Sequence, residues 1–193
     1  GGINNLITFK DQLYALQDNA VSIVSMNTRA LIQSEDGSSI AIQSFLGTGT
    51  VIERNDYIST THGSQHRMNG IATDKGLYWW DKYLNTICKV DIKSPNQVID
   101  LLQAKNCTSF MEPFKQFPIY DNPLNITVGS NNTNKGGFFI SHSAYLNELV
   151  FGFTYHLTNL GYMSVGAIAY DELLDVFTSE RNYANILSVS HRG

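Results

Sequence analysis

An all-β protein with minor helices is the fold class this sequence predicts, and three observations predict it. Ten Tyr, ten Phe and two Trp, among abundant Thr, Ile and Val, suit pleated strands, where aromatic and branched side chains pack well. Short apolar segments recur between clusters of Gly, Asn, Asp and Pro, at the spacing of barrels and sandwiches. Helical periodicity is confined to one stretch near each end.

Composition narrows the function classes. A chain of 193 residues can bury a substantial core, as one domain or two small lobes. Apolar residues make up 42% and charged residues 16%, a balance that argues against disorder. The net charge is −4 and no basic run occurs, so the electrostatic footprint of a nucleic-acid binder is absent. Cys88 and Cys107 have neither C-x-x-C spacing nor a disulfide framework around them, which reads as two free thiols in a reducing compartment. Three glycosylation sequons, at Asn106, Asn125 and Asn131, are the chance matches an Asn-rich chain produces. No apolar run has the length of a membrane span, and no signal-peptide pattern occurs. Gly1-Gly2 reads as a processed end or an added scar.

In chain order, Asn5 to Asp18 places Leu6, Phe9, Leu13 and Leu16 at helical spacing and predicts a short leading helix. Ala20 to Met26 alternates as a half-buried strand does, Thr28 to Ser34 continues or pairs with it, and Glu35 to Ser39 has turn chemistry. Ile40 to Leu46, Gly47 to Ile52 and Tyr57 to Thr61 read as strands, with a tight turn at Asn55-Asp56. Further strands are expected at Gly76–Trp80, Thr86–Val90 and Val98–Leu102. Pro113, Pro118 and Pro123 mark a crossover between lobes. The later strands are Ile126–Val128, Gly137–Ile140, Leu149–Tyr155 and Tyr162–Ile168, and a helix is expected over Tyr170–Phe177, whose early acids suit a helix N-terminus. No internal repeat stands out.

One stretch carries more than fold information. Gly47-Thr48-Gly49-Thr50-Val51-Ile52 is followed by Tyr57-Ile58-Ser59-Thr60-Thr61-His62-Gly63, an apolar strand that delivers an imidazole at its end. Such a His serves as a general base where a hydroxyl or thiol is in reach. Asn85 to Asp91 adds an apolar strand and an acid, and Gly136-Gly137-Phe138-Phe139 adds a Gly pair before another strand. This order resembles the chymotrypsin-like main proteases of positive-strand RNA viruses, of the nidovirus and calicivirus type, over roughly Ser44 to Tyr170.

The resemblance implies two antiparallel β-barrels, residues 1–105 and 106–193, with a cleft between them. It implies an endopeptidase of a viral polyprotein in which His62 is the base, Asp91 or alternatively Asp81 orients it, and Ser130 attacks the carbonyl. Thr133 and Ser141 are alternative nucleophiles, and an inactive relative is a further alternative, because alignment on the Gly pair puts Lys135 where the nucleophile belongs. Lys135 and Gly136 would shape the oxyanion loop, and Thr154 and His156 would read the P1 side chain. The implied partner is a polypeptide substrate, with a homodimer left open; no cofactor is required; the implied place is the host cytoplasm, after excision from the polyprotein. His62 and His66 are spaced i, i+4, but no further ligand lies near them in sequence, so no metal site is expected. The inactive relative would act by binding a peptide along a strand edge, and the rival reading from another class is a non-enzymatic β-rich module for assembly or recognition.

Overall fold

The structure is a computed structural model and describes residues 2–26, 52–65, 69–114, 138–157 and 162–181. Among these residues the elements are β1 (Ile3–Phe9), β2 (Gln12–Gln17), β3 (Val21–Met26), β4 (Ile52–Ser59), β5 (Gly70–Ala72), β6 (Gly76–Asp81), β7 (Thr86–Asp91) and β8 (Ser94–Asp100). A one-turn helix α1 (Leu101–Ala104), a 3-10 stretch (Thr108–Phe114), and β9 (Phe138–Ser143), β10 (Glu148–Leu157), β11 (Tyr162–Asp171) and β12 (Val176–Arg181) follow.

The strands form three antiparallel four-stranded sheets, each a simple meander: β1-β2-β3-β4, β5-β6-β7-β8 and β9-β10-β11-β12. The all-β class therefore holds. The expected pair of closed barrels does not: within the described residues each sheet has a linear strand order that stops at an edge strand. The first two sheets fall within residues 1–105 and the third within 106–193.

Sheet 2 is the centre of the molecule because both of its faces are apolar. Leu77, Trp79, Cys88 and Val90 point one way and pack with Phe9, Tyr14, Leu16 and Val21 of sheet 1. Tyr78, Trp80 and Ile87 point the other way and pack with Ile140, Leu149, Phe151, Ile168 and Tyr170 of sheet 3, together with Leu101, Leu102, Phe110 and Met111 from the helical connection. The continuous run Gly76 to Asp81, buried at every position, is the signature of a strand covered on both sides. Successive sheets are laid side by side in the same sense, so that β1 runs alongside β5, β5 alongside β9, and β4 alongside β8.

The predicted leading helix is instead the β1–β2 hairpin. Its turn is Lys10-Asp11, with φ of 48° and 62°, the left-handed pair of a two-residue turn that matches strand twist. Leu6 and Leu13 share one face while Phe9, Tyr14 and Leu16 lie on the other; the helical spacing arises from a strand reversal that shifts the alternation. The turn expected at Asn55-Asp56 is continuous strand, paired to Val24 and Ile23. The helix expected over Tyr170–Phe177 is the end of β11, a four-residue tip and the start of β12. Strands expected at Ile40–Leu46 and Ile126–Val128, and most of Gly47–Ile52, lie outside the described residues.

Two glycines permit close approach. At Gly63 a Cβ would stand 2.2 Å from the carbonyl oxygen of Asp18, and at Gly70 it would stand 2.4 Å from Cδ1 of Ile7. The first lets the connector between sheets 1 and 2 lie against the β2–β3 turn, and the second lets β5 lie against β1.

Two acid pairs couple the fold to pH. Lys89 Nζ lies 2.8 Å from Asp91 and Lys105 pairs with Asp175. Burial alone would raise the Asp91 carboxyl, but the Lys89 ammonium and the Lys93 amide outweigh it and hold the group below its usual range. Burial likewise opposes, and Lys105 and the Tyr170 hydroxyl outweigh it, at Asp175. A carboxyl lowered in the folded state contributes stability above its unfolded pKa of about 4 and loses that contribution as pH falls through the lower folded value. The urea midpoint should therefore be flat from pH 7 to 5 on account of these groups and fall below about pH 4. Lys89→Met should reduce that acid-side fall, which a pH series of midpoints checks.

Candidate functional site

His62 lies three residues beyond the end of β4 and is half-buried. Its Nδ1 lies 2.9 Å from Ser59 Oγ and 3.2 Å from Thr61 Oγ1. Ser59 Oγ also accepts the His62 amide at 3.1 Å and the Thr61 amide at 3.3 Å. The imidazole thus closes a serine-capped turn that ends the strand. Among the described residues, the hydroxyls it bonds come from its own turn.

The two candidate acids, Asp91 and Asp81, have different surroundings. Asp91 ends β7, where it pairs with Lys89 and accepts the Lys93 amide at 2.9 Å, so its hydrogen bonds serve the β7–β8 turn. Asp81, the alternative acid, is buried and sits by the His62 segment. It accepts Gly63 N at 2.7 Å, Gln65 Nε2 at 3.3 Å, Tyr83 N at 2.9 Å and Leu84 N at 3.1 Å. It ties the sheet 1–sheet 2 connector to the β6–β7 tip. Around it, Trp79 Nε1 donates to Gly63 O at 3.0 Å, and Asn4 Nδ2 reaches Asp18 Oδ1 at 2.7 Å and Ser64 O at 2.6 Å.

Ser130, Thr133, Lys135 and Gly136 lie outside the described residues, as does His66. Ser141 lies in β9, paired with Val150. Thr154 and His156 lie in β10, paired in register with Val165 and Met163. Among the described residues no three His, Cys, Asp or Glu side chains gather as metal ligands. A cleft of about 470 Å³ opens between β4 and β8, lined by Ile23, Arg54, Asp56, Tyr57 and Asn96 among others; neither His62 nor Asp91 lines it.

What the sequence reading passed over is a repeated hairpin tip. Asp81-Lys82-Tyr83-Leu84-Asn85-Thr86, Ser143-Ala144-Tyr145-Leu146-Asn147-Glu148 and Asp171-Glu172-Leu173-Leu174-Asp175-Val176 each join two strands by four residues. The last loop residue is left-handed each time, with φ of 51° at Asn85, 52° at Asn147 and 57° at Asp175, a conformation Asn and Asp tolerate best after Gly. Asp81 and Asp171 open their loops by accepting the amides two and three residues on, the Asx-turn pattern. The signal was the string of small polar residue, two loop residues, Leu and Asn or Asp.

Two of these tips stand together at one end of sheet 3, joined by the Glu172 amide donating to Asn147 O at 2.9 Å. Buried Glu172 anchors them: it accepts Thr73 Oγ1 at 2.6 Å and lies 3.2 Å from His142 Nε2. Asp175 receives the Tyr170 hydroxyl, which burial and then that carboxylate push up, keeping it a donor. On this fixed base Tyr145, Leu146, Leu173 and Leu174 project into solvent, with 92% exposure at Tyr145 and 68% at Leu174. The exposed apolar side chains of these two adjoining tips form a ledge.

No curated protein matches the chain. A family model described as the Crassvirus muzzle protein matches residues 1–192. That match overturns the resemblance to viral main proteases, and with it the expectations of a serine-type hydrolase, excision from a polyprotein and residence in the host cytoplasm; a bacteriophage protein in a bacterial host takes their place. The Thr-Thr-His string that suggested a catalytic strand ends an open sheet in a capped turn. No helix of the described residues is long and apolar enough to cross a membrane. With all but the final residue matched, this chain belongs to the crassvirus muzzle protein family.

Proposed function

We propose that the chain is a non-enzymatic structural module of the phage particle, which acts by packing against other virion proteins rather than by chemistry on a substrate. The family match over residues 1–192 carries this reading. The exposed ledge of Tyr145, Leu146, Leu173 and Leu174 supports it, because tips braced by Glu172 and Asp175 present apolar side chains with little ordering left to lose on contact. The partner surface would be apolar, with a basic group placed to meet Asp171.

Two measurements test it. Peptides spanning Gln, Glu and aromatic residues at P1 should be left uncut by the wild type and by His62→Ala alike; cleavage abolished by His62→Ala would end the structural reading. Particles produced with Leu173→Asp/Leu174→Asp should carry at most about a tenth of the normal amount of the protein, the loss expected when charge replaces central apolar contacts. Both positions are exposed, so the unfolding free energy of the purified variant, from urea titration, should stay within about 0.5 kcal/mol of wild type. Undiminished incorporation would remove the ledge from the proposal.

A further inference from the structure

The cleft between β4 and β8 shares no residue with the ledge. Its floor includes Ile23 and Ile58, which also pack against the core that sheets 1 and 2 share. Gln12, Arg54, Asp56 and Asn96 line it with polar groups. Strand register explains how the two charged residues come there. Arg54 pairs with Ser25 and Asp56 with Ile23, so alternation puts both on the face of sheet 1 that turns toward sheet 2. Gln12 is held from below: its Oε1 accepts the hydroxyl of buried Tyr14 at 2.9 Å, and that hydroxyl also lies 3.2 Å from Pro95 O of β8. We propose that this cleft binds an extended polypeptide segment of another virion protein. The origin of the segment rests on the structural reading above, whereas its peptide chemistry rests on the cleft.

The lining disfavours other ligands. Phosphate needs positive charge to spare, but Arg54 Nε donates to Asp56 Oδ2 at 2.6 Å and the pair is neutral as a unit. A divalent ion needs several oxygen ligands, usually with more than one carboxylate among them, and Asp56 is the one carboxylate among the described lining residues. An apolar ligand would cover the polar side chains without bonding them. A sugar ring is commonly gripped through an aromatic face. Tyr57 pairs with Ser22, which alternation assigns to the face opposite Arg54 and Asp56.

A chain of amides matches the lining better. Each peptide unit offers one N–H and one C=O, and the side-chain amides of Gln12 and Asn96 carry the same two kinds of group. The bond between Arg54 and Asp56 uses one guanidinium N–H and one carboxylate oxygen. It leaves further N–H groups beside the second oxygen, which again sets donors next to an acceptor. The shape agrees. Along β4 the lining runs from Arg54 to Ile58, about 13 Å of strand at roughly 3.3 Å per residue, the span of a short extended segment. Ile23 and Ile58 would receive apolar side chains from alternate positions of that segment, the division of labour seen when a peptide lies along strands.

The test probes an array of overlapping peptides from the virion proteins of the same phage with the purified chain, and measures the affinity of captured peptides by fluorescence anisotropy. Wild type should capture a discrete set. Arg54→Ala/Asn96→Ala alters two exposed side chains, so its thermal unfolding should match wild type while each captured peptide binds at least about 10-fold more weakly. Methylating alternate backbone amides of a captured peptide should weaken it comparably. Leu173→Asp/Leu174→Asp should bind as wild type does. Capture of no peptide, equal affinity in the Arg54/Asn96 variant, or loss in the tip variant alone would overturn the proposal. Displacement of the peptides by neutral gluco-oligosaccharides would also overturn it and assign the cleft to a sugar. Failure here leaves the structural reading to its own measure, incorporation into particles. Capture followed by cutting of the peptide would overturn that reading and uphold the cleft.

Discussion

Trp79→Ala is expected to destabilise the fold by about 4–5 kcal/mol, a large fraction of the 5–15 kcal/mol typical of a domain. The side chain is fully buried on the face of sheet 2 that meets Phe9, Tyr14, Leu16 and Val21. Truncation removes the ring and leaves a cavity that the surrounding strands, held by ladders on both sides, are poorly placed to fill. It also leaves Gly63 O without its 3.0 Å donor, at about 1 kcal/mol. Trp79→Phe should keep most of the packing and lose the hydrogen bond, costing about 1–2 kcal/mol. Tyr83→Ala, at an exposed tip, should change stability by no more than about 0.5 kcal/mol. Urea unfolding monitored by circular dichroism gives all three. A cost under about 2 kcal/mol for Trp79→Ala would mean that sheet 2 is not the shared core between its neighbours.

Much of the strand inventory was legible because sheet 2 and sheet 3 announce themselves by composition. Leu77-Tyr78-Trp79-Trp80 and Ile87-Cys88-Lys89-Val90 are runs that include aromatic or β-branched residues and are bounded by turn residues, and their burial on two faces leaves little room for another assignment. Leu6 to Leu16 misled because its apolar spacing satisfies 3.6 residues per turn, while the deciding feature is two consecutive left-handed residues, Lys10 and Asp11, which are not the Asn-Gly or Asp-Gly pair that usually signals such a turn. Tyr170 to Phe177 misled for a related reason. Acids that suit a helix start also suit an Asx turn, and Asp171 bonds the Leu173 and Leu174 amides in the second way.

Function was less legible, and the reason is physical. A His after a strand has the same local sequence whether the strand closes a barrel beside a second lobe or ends an open sheet, because the difference resides in long-range pairing that no short string encodes. His62 is capped by Ser59 within three residues, which demands nothing from the rest of the chain. The repeated tips carry their information locally, in the left-handed Asn85, Asn147 and Asp175, and comparing the three loops with one another would have revealed the meanders.

Asp81→Ala is the second large effect, expected at about 3–5 kcal/mol. The carboxylate is 1% exposed and accepts from Gly63, Gln65, Tyr83 and Leu84. Removing it strands donors that cannot all turn to water, each costing about 1–3 kcal/mol, though less in sum because the connector can shift. Asp81→Asn retains one acceptor oxygen, enough for the tip amides or for Gly63 but not for both, and should cost about half as much. Hydrogen exchange separates the two ends of the network: the amides of Tyr83 and Leu84 report the tip, and that of Gly63 reports the connector. Gly63→Ala should loosen the connector alone, since its Cβ meets the Asp18 and Gln17 backbone and not the tip. If Asp81 instead oriented His62 for chemistry, Asp81→Asn would leave these exchange rates and the urea midpoint near wild type. Faster exchange at both ends with a lowered midpoint assigns the buried acid to holding sheet 1 against sheet 2.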